Sequence, residues 1–280
     1  MRSRFQSATQ SAVVEVIGIV IFAAVVALLA GALSPNIDGM TLIVVGVVLA
    51  VVPAAIWLTA FYRQDRLEPE PKQYVLGVFL LGAVLAQAIG QPLIRDLFQV
   101  QQWAHQNPLL GFFAAILIVG VIQEFVKYAA VRYTIFNSQE YDQPIDGIIY
   151  SAAAGLGYAT TLNIQYVVSN GGVDLGIGAL RVSIEALAQA SSAGVIGYFL
   201  GQAKFRSMGP FWLPLGLLLA ATLNGIVNTL LDIVPRLGTF GINPWYGLMA
   251  AVIVAGSTFG VLLTLMGRMN AATVRQSQEA

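Results

Sequence analysis

The chain has 280 residues, of which 57% are hydrophobic and 10% charged, with zero formal net charge. Soluble domains carry about 25% charged residues, so this chain has too little polar surface to cover a water-soluble globule, and the zero net charge argues against a nucleic-acid partner. The absence of cysteine removes disulfides and thiolate sites. A single histidine, His105, excludes any His-pair metal motif.

A helix crossing the ~30 Å hydrocarbon layer needs about 20 apolar residues. Eight stretches fit, at about 12–33, 41–61, 74–94, 109–135, 146–168, 178–201, 210–233 and 243–267. Alternating strand patterns are missing, so the expected fold is an all-α polytopic bundle. Ala30-Gly31-Ala32 has the form of a signal-peptide cleavage site. Its apolar run is longer than a signal core, however, and reads as a retained helix peripheral to the bundle. Of the 14 Lys and Arg residues, 11 fall on one side if the N-terminus is cytoplasmic, against Arg95, Arg181 and Arg236 on the other. The positive-inside rule then puts both termini inside. Trp57, Trp212 and Trp245 lie near span ends, as interfacial anchors do. The segment from Arg95 to Trp103 reads as an interfacial helix, and Gly90-Gln91-Pro92 as a candidate helix break. Residues 1–280 read as one membrane domain: a peripheral helix over 1–40, a core over 60–232, and a last helix with its tail over 243–280.

An ionisable group at a helix centre costs about 2.5–3.5 kcal/mol on insertion scales, so each asks for a partner or a role. The fourth span carries Gln123, Glu124 and Lys127, with Glu124 and Lys127 spaced to pair. The fifth opens on Asp146-Gly147 and later holds Asn163 and Tyr166. The sixth places Arg181, Glu185 and Gln189 at steps of four, then Ser192. The seventh does the same with Asn224, Asn228 and Asp232. At 1.5 Å rise per residue, Gln123, position 162, Gln189 and Asn224 all fall about 18–24 Å from the inner end, which suggests one intramembrane centre. The plain structural alternative is that such amides only tie helices together, at about 0.6 kcal/mol each. Near the outer boundary, snorkelling of Arg181 or an Asp232–Arg236 pair is the simple expectation.

The second loop reads Asp65-Arg66-Leu67-Glu68-Pro69-Glu70-Pro71. It resembles the Asp-Arg-x-Glu-Pro-Glu-Pro segment of the PrsW intramembrane proteases, relatives of the CAAX-protease and bacteriocin-processing group. Further pieces follow in the same order. Gln123-Glu124-Phe125-Val126-Lys127 aligns on Glu-Glu-x-x-Lys. Pro144-Ile145-Asp146-Gly147-Ile148-Ile149-Tyr150 keeps Pro-x-Asp-Gly-x-x-Tyr intact. The run from Gly155 to Asn163 aligns on Gly-x-Gly-Phe-Ala-x-x-Glu-Asn, and Arg181 and Gly197-Tyr198 complete the series. Asp65, Arg66, Glu68, Glu70, Asp146, Gly147, Tyr150 and Arg181 are thus framework positions over residues 60–230.

The departures fall at the centre. The resemblance implies catalytic or metal-binding Glu, Glu, His and His at positions where this sequence has Gln123, Leu162, Gln189 and Asn224; the two histidine positions rest on counting from flanking glycines. Amide carbonyls are weak neutral ligands and cannot act as a general base near neutral pH. The expectation is a catalytically inactive homologue with no metal and no cofactor. It would act by binding lipid, transmembrane segments or a larger membrane complex, in a prokaryotic plasma membrane. Two alternatives stay open: a residual intramembrane peptidase using Glu124 with Lys127 and Asn163, and an accessory subunit or small transporter. The first predicts a water-accessible cavity reaching Glu124.

Overall fold

A computed structural model describes residues 39–65, 68–172, 177–233 and 245–279. The expected first span at 12–33, Arg66 and Arg236 lie outside the described residues. Those described are helical, with no strand among them.

The chain runs α1 (Gly39–Tyr62), α2 (Lys72–Leu85), α3 (Pro108–Arg132), α4 (Asp146–Ser169), α5 (Ile177–Phe205), α6 (Trp212–Asn228) and α7 (Trp245–Glu279). Gly39–Tyr62, Lys72–Trp103, Pro108–Arg132, Trp212–Asp232 and Trp245–Arg275 are long and apolar enough to cross a membrane. Exposed Val44, Val48 and Val51 on α1 and Ile253 and Val261 on α7 give these helices an apolar outer flank. Helices α4 and α5 are equally long but do not reach that apolarity. The reason is their position: nearly every residue of α4 from Asp146 to Thr160 is buried by other helices. A helix sheathed in protein can carry polar groups because neighbouring helices supply their partners.

Close backbone approach puts α4 at the centre. A Cβ on Gly155 would lie 2.4 Å from the Gln189 carbonyl oxygen of α5, and one on Gly157 would lie 1.8 Å from the Phe79 oxygen of α2. Two residues apart on a helix, the two glycines face nearly opposite sides. The Gly-x-Gly pair therefore seats α4 between α5 and α2. Near the start of α4, Gly147 and Gly197 cross with a built Cβ only 2.1–2.3 Å from the opposing carbonyl.

Local signals explain the helix ends. Asn107 accepts from Leu109 N–H at 2.9 Å and Pro108 occupies the first turn, which starts α3. Gly171 at φ +66° ends α4, with Gly172 N–H returning to the Val167 carbonyl at 2.9 Å.

Several sequence expectations are corrected. The Gly90-Gln91-Pro92 segment does not break its helix. The winding loosens instead into π-turns at Ala86–Gly90 and Leu93–Leu97, which absorb the missing proline N–H. No single interfacial helix runs from Arg95 to Trp103. The chain turns at Gln99 (φ 48°) before a short helix, Val100–Trp103, and Trp103 Nε1 donates back to the Phe98 carbonyl at 2.9 Å. Trp57 is not an interfacial anchor: it is 2% exposed and meets Phe259 of α7 edge-to-face at 5.2 Å. Trp212 is half-buried against Phe199, and Trp245 is exposed.

Candidate functional site

Helices α3, α5 and α6 bring Gln123, Gln189 and Asn224 into one hydrogen-bonded cluster. Gln189 Nε2 lies 2.9 Å from Gln123 Oε1 and 3.2 Å from Asn224 Oδ1, and Asn224 Nδ2 donates to Gln123 Oε1 at 2.9 Å. All three side chains are buried. The fourth position, Leu162, packs with Ile122 against Val126 and Tyr158 beside this cluster.

Glu124 and Lys127 lie one turn apart on α3, both fully buried, with Nζ 2.5 Å from Oε1. The same ammonium donates to Gln189 Oε1 at 2.7 Å and Ser192 Oγ at 3.2 Å, and Asn224 Nδ2 donates to Glu124 Oε1 at 2.7 Å. An ion pair with these extra hydrogen bonds is the arrangement that offsets the desolvation of two buried charges. It occupies the lysine's three donors and one carboxylate oxygen. Glu124 Oε2 is buried without a hydrogen-bond partner.

A cavity of about 590 Å³ opens beside this cluster. Gln123, Leu162, Asn163, Glu185 and Asn228 form its inner wall, and exposed Arg95, Gln101, Asn170 and Asp232 surround its mouth. Glu124 does not line it. At the mouth Arg181 reaches Asp232 at 2.5 Å and lies 4.0 Å over the Tyr166 ring. Asp232, in the turn Thr229–Ile233 that follows α6, is thus tied to α5, while Arg236, its expected partner, lies outside the described residues.

The framework residues form a second cluster at the opposite end of α4. Carboxylate oxygens of Asp65, Glu70 and Asp146 lie within 4.8 Å of one another, all buried. Tyr150 Oη donates to Glu70 Oε2, Tyr62 Oη to the Glu70 carbonyl at 2.9 Å, and Gln143 Nε2 to Glu68 Oε2 at 3.2 Å. The Gln143 N–H donates to Asp146 Oδ2 at 2.6 Å. Burial pushes the Glu70 carboxyl up to about 7, and hydrogen bonds with Tyr150 and Asp146 hold it from rising further. Asp142 nearby is also raised, first by burial and then by Glu68. This junction ties the α1–α2 loop to the start of α4. Gly147 serves at the crossing described above, and Arg181 sits far from the junction, at the cavity mouth.

Sequence reasoning did not single out Glu185 as a site residue. Its signal was the stripe Arg181, Glu185, Gln189, which put a carboxylate one turn nearer the cavity mouth than the amide cluster.

The residues suit a metal poorly at the convergent centre. Gln123, Gln189 and Asn224 offer only amide oxygens, all engaged with one another or with Lys127, and Glu124 is paired with Lys127. Divalent transition metals favour imidazole, thiolate and carboxylate donors. Among the described residues, the group of three or more such donors close enough for one ion is the Asp65–Glu70–Asp146 junction, not this centre.

Comparison with known proteins agrees with the motif order. The family model for PrsW family intramembrane metalloproteases matches residues 70–268. The Protease PrsW of Geobacillus kaustophilus is 31% identical over 207 residues, covering 72% of this chain and 88% of that protein. The Protease PrsW of Bacillus subtilis is 30% identical over 187 residues, covering 65% and 80%. That of Clostridioides difficile is 27% identical over 192 residues, covering 66% and 78%. No solved structure matches the chain. With a family model spanning most of its length, this multi-pass membrane protein belongs to the PrsW family.

Proposed function

We propose that this chain is a non-cleaving member of the PrsW family, one that binds a membrane-associated protein segment in its intramembrane cavity. The observation that carries this reading is the closed amide network of Gln123, Gln189 and Asn224. It holds side chains of catalytic size and polarity in contact, yet none of the three accepts or donates a proton near neutral pH. Glu124, the carboxylate retained in the motif, is fully buried, ion-paired with Lys127 and off the cavity wall. A general base must come within hydrogen-bond reach of water or substrate, so this geometry disfavours a residual peptidase working through Glu124.

The test is metal content and peptidase activity of the purified chain in lipid nanodiscs. Sub-stoichiometric zinc and intact candidate substrates are the expected results. Stoichiometric zinc, or site-specific cleavage abolished by Glu124→Gln or Glu185→Gln, would overturn the reading.

A further inference from the structure

We propose that Glu185 and Asn163 form a cation-recognition floor in the cavity, selecting a protein segment that presents an arginine or lysine side chain. This rests on the binding reading above and adds the chemistry of the occupant.

Three observations converge. First, the inner wall is rich in acceptors with capacity left. Asn163 lines the cavity and is fully buried; its Nδ2 donates to the Val182 carbonyl at 2.9 Å, and its Oδ1 is buried without a hydrogen-bond partner. Buried polar atoms are nearly always satisfied, so an unpaired acceptor on a residue of the cavity wall leaves capacity for an incoming donor. Second, Glu185 is a buried carboxylate in no ion pair among the described residues. It accepts one hydrogen bond, from Gln189 Nε2 at 2.9 Å. Arg181, one turn away on α5, and Lys127 act on Glu185 electrostatically without forming an ion pair with it, and both have other partners: Lys127 has Glu124, Gln189 and Ser192, and Arg181 has Asp232. A buried carboxylate with no cation in direct contact has room for one. A guanidinium or ammonium supplies several donors at once, enough for Glu185 and Asn163 together.

Third, three π-turns border the same space. Arg95 belongs to Leu93–Leu97, Val119 to Ala115–Gly120 and Asp232 to Thr229–Ile233, and all three residues line the cavity. Single-turn π segments gather at functional sites because they redirect side chains and free backbone groups. The volume of about 590 Å³ is within the usual range for ligand sites. A protein segment is favoured over a lipid amine because the walls carry Gln91, Gln101, Gln165, Asn170 and Asn228. These amides match the paired N–H and C=O groups of a main chain.

The experiment uses the full chain in phosphatidylcholine nanodiscs and three labelled capped peptides that differ at one central position: arginine, citrulline or glutamate. Fluorescence anisotropy reads affinity, and mass spectrometry reads any cleavage. The arginine peptide is expected to bind at least tenfold more tightly than the citrulline peptide, and the glutamate peptide more weakly still. Glu185→Gln, which keeps a partner for Gln189, and Asn163→Leu should each erase most of that preference. Gly256→Ala, where an added methyl meets nothing within 4 Å, should leave it intact. Equal affinity for arginine and citrulline, or an unchanged preference in correctly folded Glu185→Gln protein, overturns the proposal. Binding of a labelled glycerophosphoethanolamine, lost in Glu185→Gln, with no peptide binding assigns the site to a lipid headgroup and overturns it as well. Cleaved peptides with the arginine preference retained would instead overturn the non-cleaving reading and leave the cation site standing.

Discussion

Gln189 Nε2 lies 2.9 Å from Gln123 Oε1, joining the middle of α5 to the middle of α3 across 66 residues of sequence. Both side chains also belong to the shell around the Glu124–Lys127 pair, Gln189 through Lys127 and Gln123 through Asn224. The centre is therefore one network, and its members should not act independently when changed.

Lys127→Met should be strongly destabilising, because it strands the Glu124 carboxylate in the protein interior. Breaking a buried pair from one side costs about 3–5 kcal/mol. The double substitution Glu124→Gln with Lys127→Met removes both charges and should recover much of that loss. Thermal unfolding of the purified variants in one detergent checks the order: wild type, then the double variant, then Lys127→Met.

Restoring donors should restore metal affinity. Gln123→Glu, Leu162→Glu, Gln189→His and Asn224→His together place carboxylates and imidazoles where the chain now has amides and a leucine. Bound zinc measured by mass spectrometry should rise from trace to near one per chain. Gln189→His alone should bind little, since amide ligands around one imidazole hold zinc weakly.

The central position of α4 predicts a sharp contrast among glycines. Gly157→Ala would push a methyl onto the Phe79 carbonyl, which belongs to the α2 backbone and has no rotamer to give. Overpacking of this kind costs about 1–3 kcal/mol. Gly260→Ala meets nothing within 4 Å and should be neutral or slightly stabilising, since alanine is the better helix former by about 1 kcal/mol. Unfolding temperatures of the two variants should separate clearly.

Glu70 predicts a pH dependence. Its folded-state value, about 7, lies above its ordinary 4.5, so the folded protein holds this proton more tightly than the unfolded chain. Stability from this group is present below about pH 4.5 and is lost as pH rises through about 7, with a slope of at most about 1.4 kcal/mol per pH unit. Glu70→Gln, neutral at every pH, should flatten this part of the unfolding profile between pH 5 and 8. A slope identical to wild type would show that Glu70 is not the group responsible.

The hydrophobic majority, the few charges and the missing strand alternation determined the fold class, since a chain in lipid satisfies its backbone with helices or closed barrels and this pattern leaves helices. The ranges of the later helices were legible too, because span length is set by bilayer thickness. Depth counting at 1.5 Å per residue was enough to suggest that Gln123, Gln189 and Asn224 meet. Helical periodicity gave the stripe Arg181, Glu185, Gln189, but it fixes only which residues share a face, not what that face meets. Three matters were decided by tertiary packing alone. Trp57 became core because α7 covers it. Asp232 meets Arg181, 51 residues earlier in the sequence, because α5 lies beside the end of the seventh expected span. Glu124, rather than Glu185, became the sealed carboxylate because α3, α5 and α6 close around the first and leave a cavity beside the second. Each depends on which neighbour arrives from a distant part of the chain, and no local pattern encodes that.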